Sequence, residues 1–270
     1  MYYFNEDVRL ISFVKDLSFN KAFSRIWGMS LGGNTGEGGL YRPITLSSIY
    51  LDYRVWGLDH HGYHFRNFTL NLVAVALVFL LAYRLFQKNI LAAFCAASIF
   101  AVHPAHPSTV FWISARGDLF CTVLYLGGLV FLLIYLQKGW FSFVIISAIA
   151  FLLALFSKEM AVSAPAVAIA LAFAIPMNCE SRKKRLLPVI VSTVFPVIIY
   201  FSIRWAVLGS LIGSGEAYTF PSVRYFPVNL AKAAGFLLVP FGHTGAEGLL
   251  FSNKKLFLVL TGIVFLAGIV

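Results

Sequence analysis

Apolar residues gather along this chain in long runs parted by short polar connections, and several runs suffice to cross about 30 Å of hydrocarbon, which takes about 20 helical residues. The first reaches from about His64 to Phe86 and is followed by Gln87 and Lys88. A second, from Ile90 to Val102, is short and stops at "HPAHP", where two prolines forbid a regular helix. Further runs cover Leu119 to Leu136, Trp140 to Phe156, Ala161 to Pro176 and Leu186 to about Val207. Residues 1–62 are mixed, charged and Gly-rich at 32–39, too polar to span, and are read as a first outer loop with juxtamembrane helices. Residues 63–208 then form the transmembrane core. Residues 209–255 form an outer loop with a marginal apolar segment at 229–241, and 256–270 an incomplete transmembrane helix. The pattern predicts an all-α, polytopic transmembrane helix bundle.

Composition agrees. Hydrophobic residues make up 60% of the 270 and charged residues 12%, against about 45–50% and about 25% in soluble domains. The lipid bilayer is therefore the first expected partner. Cys95, Cys121 and Cys179 lie far apart, in or beside apolar runs, and read as small core residues. The net charge of +10 does not point to nucleic acid, because the basic residues are scattered over membrane-facing loops. The run "GGNTGEGG" lacks the G-K-[ST] ending of a phosphate loop.

Charge also sets an orientation. The densest basic cluster, Arg182 to Arg185, belongs inside by the positive-inside rule. Counting back, Lys138, Arg84 and Lys88 fall inside too, while the 1–62 segment, "HPAHP", "ARGD", "SKE" and 209–228 fall outside. Inside connections then hold only seven of the 21 basic residues, an excess of outer cations that suggests a ligand.

That outer face collects Glu6, Asp7, Arg42, Asp52, Asp59, His64, His103, His106, Arg116, Asp118, Lys158 and Glu159. Ionisable groups near the membrane are costly and read as functional. His64, Asn67 and Asn71 share one helical face, as do Thr45, Ser48 and Asp52. The 41–56 stretch reads as a helix lying on the membrane, with a narrow polar seam between two apolar faces. Both signs on one face suit a site that handles an anionic headgroup beside an acid/base centre, which needs a base within hydrogen-bond reach and fixed positive charge for the phosphate. Arg116 and Lys158 are the first choices for the phosphate, with Arg42, His103 and His106 as helpers. Asp52, His64, Asn67, Asp118 and Glu159 would form the wall. The plain alternatives are an Arg116–Asp118 pair, an interfacial Lys158–Glu159 pair and a satisfied, buried Asp52. A metal on His103 and His106 lacks a third ligand, so no cofactor and no metal are expected. The Asn67-Phe68-Thr69 sequon sits at a membrane entry and reads as incidental.

"YRPITLSSIYLDYRVWGLDHHGYHFRNFTLNLV", "FAVHPAHPSTVFWISARGDLF" and "LLALFSKEMAVSAPAVAI" resemble three successive signatures of the membrane region of the transmembrane-and-TPR O-mannosyltransferases and their bacterial relatives. These are similar to protein O-mannosyltransferases of the C-type (GT-C) glycosyltransferase superfamily, and the resemblance covers about residues 1–205. It implies a multi-pass enzyme that moves a mannose-like sugar from a polyprenyl-phosphate carrier to an acceptor, a protein Ser/Thr hydroxyl or a glycan, on the outer or lumenal face. It places a catalytic acidic pair at Glu6 and Asp7 in "FNEDVRLI", with Asp7 preferred. The helix that precedes that pair in the family and the following TPR array have no counterpart, so the chain reads as a fragment. Two other readings share the features: a transporter or lipid-carrier flippase, and a polymerase or ligase of lipid-linked glycans. The expected location is a bacterial inner membrane, or the endoplasmic reticulum in a eukaryote.

Overall fold

The computed structural model describes residues 5–15, 17–28, 40–103 and 106–209, and among these every regular element is a helix. Three short helices come first: α1 (Asn5–Lys15), α2 (Phe19–Gly28) and α3 (Pro43–Trp56). They are followed by α4 (His60–Leu85), α5 (Ile90–Val102), α6 (Pro107–Phe111), α7 (Arg116–Lys138) and α8 (Ser142–Ser157). A 3-10 turn over Glu159–Ser163 then leads to α9 (Ala164–Ala174) and α10 (Cys179–Leu208). Among the described residues, those up to Val102 and from Ser108 onward group into one compact unit, and His103, His106 and Pro107 into a second. The Gly-rich run 32–39 and the expected segments 229–241 and 256–270 lie outside the described residues.

Helices α4, α7 and α10 are each long and apolar enough to cross a membrane, and α5, α8 and the Glu159–Ala174 stretch are shorter apolar helices. Side-chain contacts give α4 and α7 a common direction. Asn67 near the start of α4 meets Arg116 at the start of α7, and Arg84 near the end of α4 donates to Gln137 near the end of α7. At about 1.5 Å per residue, Asn67 to Arg84 rises about 25 Å and Arg116 to Gln137 about 31 Å. The two polar contacts thus sit at opposite edges of a slab about as thick as the bilayer hydrocarbon. Between them, stretches 67–83, 119–137, 142–157 and 186–203 contain no Asp, Glu, Lys, Arg or His.

Packing inside the slab relies on aliphatic and small residues. Leu129, Leu132, Leu133 and Leu136 of α7 meet Val144 and Phe151 of α8, Ala168 and Leu171 of α9, and Val189 of α10. Gly128 is required here, because a Cβ on it would sit 2.9 Å from the Phe151 ring. Outward-facing positions hold large apolar side chains, including Phe68 and Leu72 on α4, Phe94 on α5 and Val191 and Phe195 on α10. Exposed apolar surface on this scale marks a face made for lipid or a partner, not for water.

Helices α4 and α10 start well before the apolar runs of the sequence reading. Helix α4 begins at His60, four residues before the expected span, because Asp59 caps it by accepting from the His61 N–H at 3.0 Å. Helix α10 begins at Cys179 and runs through the basic cluster instead of starting at Leu186. Asn178 caps it, accepting from Ser181 N–H at 2.8 Å, and the Glu, Lys and Arg that follow are good helix formers. An apolar run marks the part of a helix that lipid can hold, and the helix itself stops only at its caps.

Candidate functional site at one end of the bundle

Helices α1 to α3 lie at the Asn67–Arg116 end and make their own core from Leu10, Ile11, Val14, Ile26, Leu46, Ile49 and Tyr63. Helix α3 behaves as its pattern predicts. Thr45, Ser48 and Asp52 are buried, Leu46 and Ile49 are buried on the adjoining face, and Leu51 and Val55 on the other apolar face are exposed. The polar seam docks on the ends of α7 and α8. Thr45 Oγ1 donates to Ser157 O at 3.1 Å, and a Cβ on Gly117 would lie 3.0 Å from Thr45 Oγ1 and 3.1 Å from Ser157 O. Glycine at 117 is what allows three chain segments to meet there.

The centre of this end is Arg116, 0% exposed. Its Nη1 pairs with Asp52 Oδ2, its Nε donates to Asn67 Oδ1 at 2.8 Å, and its Nη2 donates to Tyr63 O at 3.0 Å. Arg66 closes the other side of the carboxylate, with its Nε 2.6 Å from Asp52 Oδ1, and lies over the Trp56 ring. Burial pushes the Asp52 carboxyl up, against the opposing pull of Arg116 and Arg66. The Asn67 amide donates to Val110 O and Trp112 O, fixing the segment that leads into α7. Asp7 on α1 is buried, and its Oδ1 accepts from Ser114 N–H at 2.7 Å. Four elements distant in sequence are thereby held by a single network.

A second group lies beside it and is more open. Lys158, C-terminal to α8, pairs with Asp118 on α7. Glu159 accepts from Arg42 Nη2 at 2.9 Å and from Arg204 Nη1 at 3.2 Å. Arg42 and Lys158 have side chains 19% and 23% exposed, whereas Arg204 is 3% exposed. Arg204 also donates to Tyr200 Oη, which donates to Tyr41 O. Two guanidiniums share the Glu159 carboxylate.

Arg116 is the residue that the sequence reading sets against a donor phosphate. The side chain is sealed from solvent and bonded through Nε, Nη1 and Nη2, so it holds the fold together. Neither simple pairing occurs: Arg116 pairs with Asp52 rather than Asp118, and Lys158 with Asp118 rather than Glu159. Asp52 and Asn67 are likewise buried structural partners. His64 is half-buried at the same end, and its Nδ1 is buried with no hydrogen-bond partner. His103 and His106 lie in the second unit, their rings 5.8 Å apart. Glu6 is on α1, but its side chain lies outside the described residues. Among the described residues, Asp59, His60 and His61 are the group that could hold a metal ion, although Asp59 Oδ1 is already shared with His61 N–H and Nδ1.

Sequence reasoning passed over Arg66 and Arg204, the two cations that complete these groups. Arg204 had a signal, since an arginine within an apolar run has to find a partner. Arg66 had none: only the approach of α3 to α4 reveals that it faces Asp52.

The chain is 37% identical over 139 residues to the protein O-mannosyl-transferase Tmtc1 of Drosophila melanogaster, an alignment covering 51% of this chain and 16% of that protein. It is 30% identical over 178 residues to a protein O-mannosyl-transferase of Caenorhabditis elegans, covering 64% and 25%. It is 34% identical over 100 residues to human protein O-mannosyl-transferase TMTC1, covering 37% and 11%. This chain is similar to protein O-mannosyl-transferases. It spans between about a tenth and a quarter of the length of these three relatives. No protein-family profile matches the chain, and no solved structure does.

Proposed function

We propose that this chain forms the membrane part of a glycosyltransferase of the O-mannosyltransferase kind, moving a mannose-like sugar from a polyprenyl-phosphate carrier to a Ser/Thr hydroxyl of a protein on the outer or lumenal face. The observation that carries this reading is the similarity to several protein O-mannosyl-transferases. The structure adds that the ionisable groups crowd at the two ends of the slab, and that one end combines a carboxylate with partly open cations. That arrangement suits chemistry at a lipid headgroup better than carriage through the midplane, where a transporter would keep its site.

In this reading Asp7 is the base. Its Oδ1 is held by Ser114 N–H, which fixes the carboxylate beside the segment that leads into α7. Arg42 and Lys158 stabilise the departing phosphate, Arg42 through Nη1, since its Nε and Nη2 are engaged by Glu159. A phosphate monoester leaves readily as an anion, so no general acid is required. Arg116, Asp52, Asn67 and Arg66 hold Asp7 and the α3 seam in register, and no metal enters the scheme.

The test uses membranes containing the full-length protein, supplied with radiolabelled polyprenyl-phosphate mannose and a Ser/Thr-rich acceptor. Label transfer that disappears in Asp7→Asn while labelled donor is still retained supports the base role. No transfer by the wild type, or transfer that is indifferent to Asp7→Asn, refutes this reading.

A further inference from the structure

The opposite end of the bundle holds a cavity of about 780 Å³. It lies where the C-terminal ends of α4, α7 and α9 surround the N-terminus of α10. Its volume falls within the range of small-molecule sites, about 300–1,000 Å³. Among the described residues, Arg84, Lys88, Lys138 and Arg185 line it and no carboxylate does. The acid nearest in sequence, Glu180, is highly exposed and paired with Lys184 at 2.7 Å, so it leaves the four cations uncompensated.

Local geometry at this cavity is also unusual. Gln87 and Lys88, on its wall, have φ of +52° and +68°. Two consecutive non-glycine residues in the left-handed region are strained, and such strain concentrates at ligand clamps and similar sites. Arg84 donates through Nη1 to Gln137 Oε1 at 3.2 Å, while its buried Nε has no hydrogen-bond partner. Asn178 and Ser181 bring the first turn of α10 to the wall, adding the partial positive charge of a 30-residue helix. Lys138 sits over the Trp140 ring, 4.4 Å from its centroid, an aromatic–cation pair of the kind found at a membrane interface.

We propose that this cavity binds the phosphate-bearing headgroup of an anionic phospholipid, with the acyl chains lying along the exposed apolar faces of the neighbouring helices. Phosphate oxygens would take the open donors of Arg84 and the ammonium groups of Lys88 and Lys138. Arg185 is committed in part to Leu136 O and shapes the wall. The site lies about 25–31 Å from the Asp52–Arg116 network along α4 and α7, so it is separate from the groups assigned to sugar transfer.

The experiment uses the full-length protein, purified in neutral detergent and examined by native mass spectrometry after exposure to phosphatidylglycerol, phosphatidylcholine or inorganic phosphate. Phosphatidylglycerol is expected to remain bound where phosphatidylcholine is lost. Retention should weaken about fivefold for each charge removed in Arg84→Gln, Lys88→Gln and Lys138→Gln. Lys184→Gln, an exposed cation outside the cavity, should leave retention unchanged, and melting temperatures of all variants control for folding. Equal retention of both lipids, or equal loss in Lys184→Gln, would overturn the assignment. Inorganic phosphate that binds alone and displaces phosphatidylglycerol at similar concentration would show the source to be free phosphate, which also refutes a lipid site.

Discussion

Replacing Arg116 by methionine separates a structural role from a phosphate-binding one. The change removes three hydrogen bonds: to Asp52, to Asn67 Oδ1 and to Tyr63 O. It leaves the fully buried Asp52 carboxylate with Arg66, whose side chain is 33% exposed, as its remaining ion-pair partner among the described residues. Breaking a buried pair on one side costs about 3–5 kcal/mol, because the other charge stays in a low-dielectric setting. For a chain of this size about 2–4 °C of melting temperature accompanies each kcal/mol, so the expected drop is about 6–20 °C. The assay is thermal unfolding of the full-length protein in detergent, run as a cycle with Asp52→Leu. The double variant removes both charges and should melt well above the sum of the two single losses. Strictly additive losses, or a melting temperature unchanged in Arg116→Met while donor retention falls, would refute the structural role and restore Arg116 as a phosphate ligand. Salt should have little influence on the outcome, since a pair sealed from solvent is poorly screened.

Three further changes test neighbouring parts of the site. Asp7→Asn keeps an oxygen to accept from Ser114 N–H, so it should abolish label transfer with a smaller loss of melting temperature than Arg116→Met; an equal loss of melting temperature would make Asp7 structural. Gly117→Ala places a methyl 3.0 Å from Thr45 Oγ1 and 3.1 Å from Ser157 O, an overpacking expected to cost about 1–3 kcal/mol, and a neutral result in chemical denaturation would show that α3 can move away. Glu159→Gln frees Arg42 from its carboxylate and weakens the hold on the nearly buried Arg204. It should therefore tighten retention of polyprenyl phosphate while lowering the melting temperature, whereas looser retention would remove Arg42 from the phosphate site.

Which parts of this molecule can be read along the chain follows from the range over which each force acts. Hydrophobic runs report directly on helices bounded by lipid, and the runs from His64, Leu119 and Leu186 recur as the three long helices. A helix with a polar seam is also a local property, and Thr45, Ser48 and Asp52 are buried together as their spacing requires. The clustering of charge at one edge is local as well, because any residue at the end of an apolar run lies at an edge. Partner choice is different. Asp52 finds Arg116 and Arg66, Lys158 finds Asp118 rather than its neighbour Glu159, and Glu159 is shared by Arg42 and Arg204. Each of these depends on which helix ends meet, something set by Gly117 and Gly128 allowing close approach and by the aliphatic core of α7 to α10. An arginine at a helix end looks the same in sequence whether it faces a ligand or a carboxylate 64 residues away. Tertiary packing alone turned Arg116 inward and left Arg42 and Lys158 partly open, because a buried guanidinium must spend its donors on the groups that surround it.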